Sequence, residues 1–358
     1  MKESRVEDSQ LLDAIKMVAP GTPLREGLEN VLKAKTGALI VIGDSEDVKE
    51  MIDGGFAINV DFSPAYLYEL CKMDGAIVLS NDSKKILYAN TQIMTDPSIY
   101  SAETGTRHRT AERVAKATGQ VVISISQRRN IISLYKGYSK YIVQDTNKIL
   151  TKANQAIQTL EKYKVALDQA MINLSALEFE DLVTVYDVAT VIQRTEMVIK
   201  VVQEVDKYIY ELGNEGRLVS MQMKELVANV VEDGKYVIKD YKMSVETDEN
   251  AIHKTLRGLT SEELLDLSAI AKNLGYGSNI NALDISVSTR GYRILNKIPR
   301  LPLAVIDNLL KQFPNFQKIL KASTDQLDDV DGIGEVRARA IKEGLRRLQE
   351  QVLLDRHI

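Results

Sequence analysis

The first 145 residues alternate short apolar runs with amphipathic segments, as strands and helices do when they follow one another along a chain. The clearest run is Ala-Leu-Ile-Val-Ile between Gly37 and Gly43, and its lack of polar residues predicts a strand buried on both faces. Similar runs predict strands at residues 76–79, 121–125, 131–134 and 141–143. Helices are predicted at residues 23–35, 63–72 and 107–118, the last ended by Gly119. The pattern therefore predicts an α/β domain with a mixed sheet over residues 1–145.

Beyond residue 145 the apolar positions recur at helical spacing. Ile149, Ala153 and Ile157 begin a series that one face of a helix would bring together, and residues 146–297 contain no proline. Further long amphipathic segments are predicted at residues 179–212 and 217–241, with a turn at residues 213–216 between them. This texture predicts an all-α helical linker or spine over residues 146–285, packed as an antiparallel bundle.

The last 73 residues contain a glycine-rich turn that suits a phosphate ligand. Its glycines, Gly332 and Gly334, flank Ile333 and allow the backbone to approach a ligand closely. The N–H groups of such a turn, and of the helix that follows, point at a phosphate oxygen. Basic residues in the following helix add attraction without reading bases, and we expect DNA contacts from Gly332, Ile333, Gly334, Arg337, Arg339 and Lys342.

This turn and its basic helix resemble the helix–hairpin–helix family of DNA-binding modules, and we assign residues 286–358 to such a domain. Residues 298–302, Ile-Pro-Arg-Leu-Pro, resemble a degenerate first half of a tandem pair, which lacks the glycines and should contact phosphate less well. Residues 286–358 carry 13 Lys and Arg against 9 Asp and Glu, whereas the whole chain has a net charge of −4. A basic tail on an acidic body favours a polyanion partner, although an ordinary helical turn with a solvated basic face is the alternative.

Asp74-Gly75 precedes the predicted strand at residues 76–79. A carboxylate beside a glycine that permits close backbone approach suits a divalent metal ion carried by a nucleotide. The alternative for these two residues alone is a simple turn before a strand.

A second constellation lies at the start of the predicted helix at residues 107–118. Gly105 leads into a helix start that gathers Thr106, Arg107, His108, Arg109 and Thr110. Hydroxyl, guanidinium and backbone N–H groups at the positive end of a helix predict a polyphosphate site. His108 is interpreted as a ligand of a phosphate or of a metal-bound water, with general base as the alternative. A solvated helix face whose arginines pair with Glu112 or other acids is the alternative for the whole group.

Composition narrows the class of protein. Hydrophobic residues make up 44% of the chain and charged residues 27%, which is typical of a globular protein. Cys71 is the single cysteine, so no intrachain disulfide forms, as expected in a reducing cytoplasm. The first ten residues are polar and charged, and no stretch approaches the ~20 apolar residues of a transmembrane helix. We therefore expect a cytoplasmic protein.

Taken together, Asp74-Gly75-Ala76, the helix start from Gly105 to Thr110, the helical middle and the terminal hairpin make the chain resemble the DNA-integrity-scanning family of bacterial diadenylate cyclases. The resemblance covers essentially the whole length. It implies that two ATP molecules are condensed into cyclic di-AMP with release of two pyrophosphates, at a site formed by two facing subunits. A Mg²⁺ or Mn²⁺ cofactor is implied as well.

The same resemblance implies residue roles and partners. Asp74 would bind the metal and, with Arg107, His108 and Arg109, form the catalytic set. ATP-binding roles fall to Gly75, Ile93, Thr106, Arg107, His108, Arg109, Thr110, Ser126 and Arg128. Gly75, Ile93 and Ser126 would contact the adenosine, and Arg128 would reach across to a phosphate. The resemblance also implies a nucleoid-associated homo-octamer joined through its helical spine, in which branched DNA damps the cyclase.

Two other functions stay open at this point. One is a catalytically idle DNA-binding scaffold whose first domain only senses ATP, although Asp74 and the arginines are present. The other is a DNA-repair nuclease or glycosylase that uses the same hairpin. Such repair enzymes usually carry a cluster of acidic metal ligands or a catalytic lysine, and no convincing cluster is found in the sequence beyond Asp74.

Overall fold

The computed structural model of the protein describes residues 11–244 and 246–356. They form two compact units. The first comprises the described residues up to Gln155 together with Asp206–Ser220, and the second comprises Ala156–Val205 together with those from Met221 onward. The polar first ten residues, where the sequence predicts no leader, lie outside the described residues.

A mixed sheet of eight described strands is the centre of the first unit. Its strands are β1 (Ala38–Ile42), β2 (Ile52–Asp53), β3 (Phe56–Asp61), β4 (Ala76–Leu79), β5 (Lys85–Ile93), β6 (Val121–Ser126), β7 (Ile131–Lys136) and β8 (Ser139–Val143). They lie in the order β2-β5-β4-β1-β6-β7-β8, and β3 pairs with β5. β1 and β4 are parallel, while the other pairs are antiparallel. The predicted mixed α/β sheet is confirmed.

Helices cover both faces of this sheet. They are a segment at residues 11–17, α1 (Pro23–Lys33), α2 (Glu46–Glu50), α3 (Pro64–Leu70) and α4 (Thr106–Thr118). Ile40 of β1 lies in one core cluster with Leu28 of α1 and Leu67 of α3. Val41, the next residue of β1, lies in a second cluster with Val114 of α4. All five residues of β1 are buried, as its unbroken apolar run predicts.

Helices make up the rest of the described chain. They are α5 (Thr146–Glu180), α6 (Val185–Leu212), α7 (Arg217–Leu226), α8 (Val230–Tyr241), α9 (Glu249–Gly258), α10 (Leu267–Leu274), α11 (Tyr292–Asn296), α12 (Leu303–Gln312), α13 (Phe316–Lys321), α14 (Thr324–Asp328) and α15 (Glu335–Asp355). Short 3₁₀ turns lie at Gly213–Gly216, Glu263–Leu265 and Ile280–Asp284. None of the helices in the described part of the chain is both long and apolar enough to cross a bilayer.

Two predicted helices are wrong in their extent. The segment predicted at residues 179–212 contains a break before α6, and the one at 217–241 is divided between α7 and α8. At the breaks Asp181 has φ 60° and Asn229 has φ 66°. Aspartate and asparagine tolerate this left-handed conformation better than most residues, so a helix ends there without a glycine.

The second unit contains a buried polar network. The carboxylate of Asp240 in α8 accepts hydrogen bonds from the backbone N–H groups of Gly291, Tyr292 and Arg293, at 2.8, 2.7 and 3.0 Å. The Arg293 guanidinium forms an ion pair with Glu178 of α5, and both side chains are fully buried. The network joins residues on either side of the boundary predicted between residues 285 and 286, and that boundary stays a prediction.

Candidate nucleotide site and candidate DNA-binding hairpin

The sheet register brings distant residues to one edge. Leu39 of β1 pairs with Ala76, and Ala38 pairs with Ile125. The starts of β1 and β4 therefore lie beside the end of β6. Ala76 also pairs with Thr91 of β5. As a result Gly75, just before β4, Ile93, the last residue of β5, and Ser126, the last residue of β6, belong to the same edge of the sheet.

Close packing at this edge requires glycine at position 75. Gly75 has φ +98°, and a Cβ atom there would lie 2.8 Å from the carbonyl carbon of Asn90 and 2.8 Å from the carbonyl oxygen of Thr91. Asn90 itself has φ 54° and is exposed. Because backbone atoms cannot give way as a flexible side chain can, the edge leaves no room for a side chain beside Asp74.

Asp74 and Arg107 meet at the edge although they are 33 positions apart. Nη2 of Arg107 donates to Oδ1 of Asp74 at 2.9 Å, and the Asp74 side chain is 93% exposed. The guanidinium lies over Gly37, where a Cβ atom would be 2.7 Å from Nη1. This role of Gly37 is not visible in the sequence, because it depends on which helix residue the sheet register brings beside it.

The start of α4 has the features of an anion site. Gly105 precedes the helix and supplies no capping side chain, so the first N–H groups of α4 lack a side-chain acceptor. The hydroxyl-bearing Thr106 is exposed, Thr110 is half-buried, and Nε of the exposed Arg109 makes only a long 3.4 Å contact with the carbonyl of Glu103. These groups provide donors and positive charge for an anion at the positive end of the helix.

Further arginines border the α4 start. Arg128 is exposed in the β6–β7 turn, and the neighbouring Arg129 donates from Nη2 to the Thr104 hydroxyl at 3.3 Å. The Ser126 hydroxyl accepts the backbone N–H of Arg129 at 3.3 Å. A turn rich in guanidinium groups therefore follows the strand that ends at the site.

Among the described residues, Glu112 is not the partner of Arg109 or Arg113. Glu112 instead pairs with Lys116 at 2.7 Å and accepts a hydrogen bond from Ser101. Arg113 donates to two backbone carbonyls, those of Ile99 and Pro97, at 2.9 and 3.1 Å. Nearer the helix start, Arg107 pairs with another acid, Asp74, and Arg109 contacts the Glu103 carbonyl, so pairing with other acids holds for Arg107.

His108 is buried and belongs to a polar chain. Its Nδ1 lies 3.0 Å from the Tyr135 hydroxyl, which donates to Oε1 of Glu103 at 2.9 Å. Lys140 donates to the same carboxylate oxygen. Burial lowers the pKa of His108, and Lys140 and Arg129 lower it further, against the opposing effect of Glu103. Burial alone would raise the pKa of Glu103, but the hydrogen bonds from Lys140 and Tyr135 outweigh burial, and that pKa is lowered.

Glu103, Tyr135 and Lys140 were not predicted as site residues. Tyr135 of β7 is 27 positions from His108, and Lys140 of β8 is 37 positions from Glu103. No local spacing connects Tyr135 or Lys140 with the helix start. Only the packing of α4 against β7 brings them together.

The terminal hairpin has the expected local structure. It joins α14 to α15, with Gly332 at φ +84° and Gly334 as the residue before α15. Ile333 is buried, and its N–H donates to the carbonyl of Val330 at 2.9 Å. Gly334 supplies no capping side chain, so the first N–H groups of α15 lack a side-chain acceptor as well.

The three predicted basic DNA contacts differ in their surroundings. Arg337 donates to the Gly332 carbonyl, and Arg339 pairs with Glu335 one turn earlier. Both arginines are exposed. Lys342 donates to the carbonyls of Leu320 and Ala322, at 3.0 and 2.7 Å, and so caps the C-terminal end of α13. The exposed arginines are therefore better placed to attract a polyanion than Lys342 is.

Residues 292–312 repeat the same local geometry. α11, a turn and α12 precede α14, the hairpin and α15 in the same order. The N–H of Leu301 donates to Ile298 at 3.4 Å, as Ile333 does to Val330. Arg300 takes φ 63° where the second half has Gly332. The predicted degenerate first half therefore has the hairpin backbone without the glycines.

The donor set limits how a metal ion can be held. Among the described residues there is no group of three or more His, Cys, Asp and Glu placed to bind a metal. Asp74 offers one exposed carboxylate beside the α4 start. Magnesium is often bound by one or two carboxylates together with substrate phosphates, so this donor set fits an ion that arrives with a nucleotide.

Comparisons with known proteins identify the family of this chain. A family model described as the DisA bacterial checkpoint controller nucleotide-binding region matches residues 25–139, and one described as the DisA bacterial checkpoint controller linker region matches residues 143–283. A DNA integrity scanning protein DisA from Clostridioides difficile is 58% identical over 99% of this chain and 100% of the relative. One from Carboxydothermus hydrogenoformans is 58% identical over 97% of this chain and 99% of the relative.

Among solved structures, DacA from Staphylococcus aureus is 21% identical over 42% of this chain and 95% of that chain, with a TM-score of 0.29. The family models and the nearly full-length relatives show the family of the chain, and they confirm the predicted nucleotidyltransferase class. The chain belongs to the DNA integrity scanning protein DisA family and is a diadenylate cyclase.

Proposed function

We propose that this protein condenses two ATP molecules into cyclic di-AMP and two pyrophosphates at a site formed by two facing subunits. The observation that carries the proposal is the meeting of Asp74 and Arg107 at 2.9 Å beside the uncapped start of α4. In the described part of the chain, one helix start lies beside such a carboxylate–arginine pair, whereas the product contains two nucleotides. Two copies that face each other would supply both nucleotides in alignment, and alignment accounts for much of the rate enhancement in such reactions.

In each half-reaction the 3′ oxygen of one ATP bonds to the α-phosphorus of the other. The bond from that phosphorus to the bridging oxygen breaks, pyrophosphate leaves, and the hydroxyl proton is released. Thr106, Arg107, His108, Arg109 and Thr110 would hold the phosphates. Gly75, Ile93 and Ser126 would contact the adenosine, and Arg128 would reach a phosphate across the interface. Guanidinium groups stabilise the charge that develops on the phosphoryl oxygens.

Asp74 would hold the divalent ion, Mg²⁺ or Mn²⁺, with the nucleotide supplying further oxygen ligands. Such an ion acidifies an attacking hydroxyl and offsets phosphate charge when it is bound. Asp74 is 93% exposed and has Arg107 as its partner, so the carboxylate is accessible to an ion that arrives with ATP. Arg107 would then be free to turn its guanidinium towards phosphate.

The C-terminal module is proposed to bind the backbone of branched DNA and to damp the cyclase. Support comes from the hairpin glycines, the uncapped start of α15 and the exposed Arg337 and Arg339. We further propose the domain boundaries 1–145, 146–285 and 286–358, a homo-octamer joined by the helical spine, and a cytoplasmic, nucleoid-associated location. These proposals follow the family resemblance rather than a contact in the structure.

The first experiment is to incubate the purified protein with ATP and Mg²⁺ or Mn²⁺ and to separate the nucleotides by chromatography. We expect a cyclic di-AMP peak that is lost in Asp74→Asn, and a smaller peak when branched DNA is added. The competing function is an ATP-sensing scaffold without catalysis. Binding of ATP with no product under either metal ion would favour the scaffold and withdraw the catalytic roles.

A further inference from the structure

His108 is buried at the start of α4, and the described residues provide no hydrogen-bond partner for one of its ring nitrogens. Only 7% of the residue is exposed, and among the described residues nothing forms a hydrogen bond with its Nε2. A buried polar atom without a partner is uncommon in folded proteins and calls for an explanation. The Cδ2 edge of the ring faces Gly105, where a Cβ atom would lie 3.7 Å away. The free nitrogen is therefore on the side of the ring towards the uncapped helix start.

The polar chain behind the ring determines which nitrogen carries the proton. The Tyr135 hydroxyl has one proton and donates it to Glu103 at 2.9 Å. A carboxylate that also accepts from Lys140 has no proton to return. The hydroxyl oxygen can then only accept at its 3.0 Å contact with His108, so Nδ1 must be the donor. In the neutral ring, Nε2 is left as a bare acceptor.

We infer that Glu103, Tyr135 and Lys140 are positioning residues that fix His108 with Nδ1 protonated, so that Nε2 accepts a hydrogen bond from an O–H group of the nucleotide-bound site. The inference rests on the proposed function and revises one part of it, because His108 would bind an O–H group instead of a phosphate oxygen. A bare nitrogen cannot donate to a phosphate oxygen, so His108 differs in kind from the arginines beside it. The O–H group belongs either to the ribose of a bound nucleotide or to a water molecule.

The chemistry of the surroundings supports this division of work. Arg107, Arg109 and the first N–H groups of α4 are all donors, which suit the oxygen atoms of a triphosphate. An attacking hydroxyl needs an acceptor as well, because it must be oriented and must lose its proton. Nε2 is the buried acceptor that the α4 start offers. Hydrogen bonds behind such a ring commonly fix its tautomer and orientation in enzymes.

The first test reads the ring nitrogens directly. The chain has three histidines, so sedimented protein labelled with ¹⁵N-histidine gives few signals in solid-state NMR, and His108→Asn assigns the one of interest. We expect Nδ1 to be protonated and Nε2 to be bare in the free protein at pH 7. Both should remain so with α,β-methylene-ATP, which keeps the 3′-hydroxyl but does not release pyrophosphate.

A second nucleotide identifies the source of the O–H group. A hydrogen bond accepted from the nucleotide should change the ¹⁵N chemical shift of Nε2 when α,β-methylene-ATP binds. If this change is absent with 3′-deoxy-ATP, the O–H group is the ribose 3′-hydroxyl. An unchanged shift would identify water or another hydroxyl, and either result supports the inference. A protonated Nε2 in the nucleotide-bound protein would overturn it, because His108 would then donate to phosphate.

The second test removes the chain behind the ring. Tyr135→Phe keeps the aromatic packing against His108 and deletes only the hydroxyl. We expect kcat for cyclic di-AMP to fall by about 10- to 100-fold with KM for ATP unchanged, and Nε2 to become protonated in part of the population. Tyr138→Phe, in the same hairpin but 81% exposed, is the matched control and should keep kcat.

The outcomes separate the inference from the proposed function. Full kcat in Tyr135→Phe, or a loss of kcat with no change at Nε2, would overturn the positioning role while leaving the cyclase intact. If the wild-type protein forms no cyclic di-AMP, the proposed function fails. The tautomer measurement on wild-type protein needs no variant to fold and no turnover, so it decides the arrangement of His108 in either case.

Discussion

Helices α4 and α15 both begin after a glycine that provides no capping side chain, Gly105 and Gly334 respectively. The nearest arginine is engaged differently in each, since Arg107 pairs with a carboxylate and Arg337 with a backbone carbonyl. The first turn of α15 contains Glu335, whereas that of α4 contains no acid. Backbone geometry is shared between the two helix starts, and the side chains around them are not.

The side chains distinguish the helix start that we propose to catalyse the reaction, that of α4, from the one that we propose to bind DNA, that of α15. Both helix starts offer N–H groups and a positive dipole to an anion. Of the two, only the start of α4 adds an exposed carboxylate, Asp74, which we propose holds the metal ion, and a buried imidazole, His108. At α15 the acid in the first turn opposes a phosphate, which favours weak, salt-sensitive binding over tight capture. An uncapped helix start thus specifies an anion, and the residues behind it decide whether a reaction follows.

The largest effect should come from Arg107→Ala. Loss of a charge-stabilising donor at a reacting phosphate typically costs about 10²- to 10³-fold in kcat, and we expect that loss of cyclic di-AMP formation with DNA affinity unchanged. The nucleotides are separated by chromatography, and DNA affinity is measured by fluorescence anisotropy. A variant that keeps more than a tenth of the activity would break the assignment of chemistry to α4.

Gly75→Ala should have the next largest effect, on the edge of the sheet beside α4. The new Cβ atom would lie 2.8 Å from backbone atoms at φ +98°. Strain of this kind costs about 1–3 kcal/mol, and each kcal/mol lowers Tm by roughly 2–4 °C in a unit of this size.

Gly54→Ala is the matched control for this strain. It has φ +64° but nothing within 4 Å of the new atom, so only the backbone cost applies. Both variants are compared by thermal unfolding. Equal shifts in Tm would show that the close approach at Gly75 is unimportant.

Arg337→Ala tests the α15 start and should have a smaller effect. Removing one phosphate contact weakens binding about equally across DNA sequences and lowers the salt slope by about 1. Lys342→Met should change the slope less, because Lys342 already donates to two carbonyls at the end of α13. Affinities measured over a range of salt concentrations distinguish the two. A larger slope change for Lys342→Met would reverse the assignment of contacts.

The smallest effect should be a pH shift at α4. Burial lowers the pKa of His108, and Lys140 and Arg129 lower it further, whereas Glu103 raises it. Glu103→Gln removes the only one of these that opposes the lowering, so His108 should stay neutral to lower pH. The acid limb of the kcat/KM profile, which reports the free enzyme, should therefore move to lower pH. A limb that moves to higher pH would show that another group controls it.

Patterns within short stretches predict much of the fold. β1 and β4 were predictable because their runs are unbroken, and Gly119 ends α4 with φ 65° as a glycine in that position does. β5 was missed because exposed residues interrupt its apolar ones and its register shifts against β4. The breaks at Asp181 and Asn229 were missed because neither carries a glycine or proline signal.

The residues of the candidate site were also predictable only where they adjoin in sequence. Residues of one motif, such as Thr106, Arg107 and His108, were found together because they adjoin in sequence. Tyr135 behind His108 was not, since β7 reaches α4 only through the folded sheet. Gly37 is a glycine for a reason that lies on another element, the Arg107 guanidinium. A sequence shows which chemistry is available, whereas long-range packing determines how it is oriented.

The buried pair of Glu178 and Arg293 has a practical consequence for dissecting this protein. A chain cut at residue 285 loses Arg293, the ion-pair partner of Glu178, and uncovers Phe179, which packs in one apolar cluster with residues of the tail. Asp240 loses three N–H donors in the same cut. The cut removes, together with the hairpin, contacts that stabilise the helices before residue 285. A deletion of the tail therefore cannot distinguish destabilisation of the helical spine from loss of DNA binding. Single substitutions in the hairpin test DNA binding without removing these contacts.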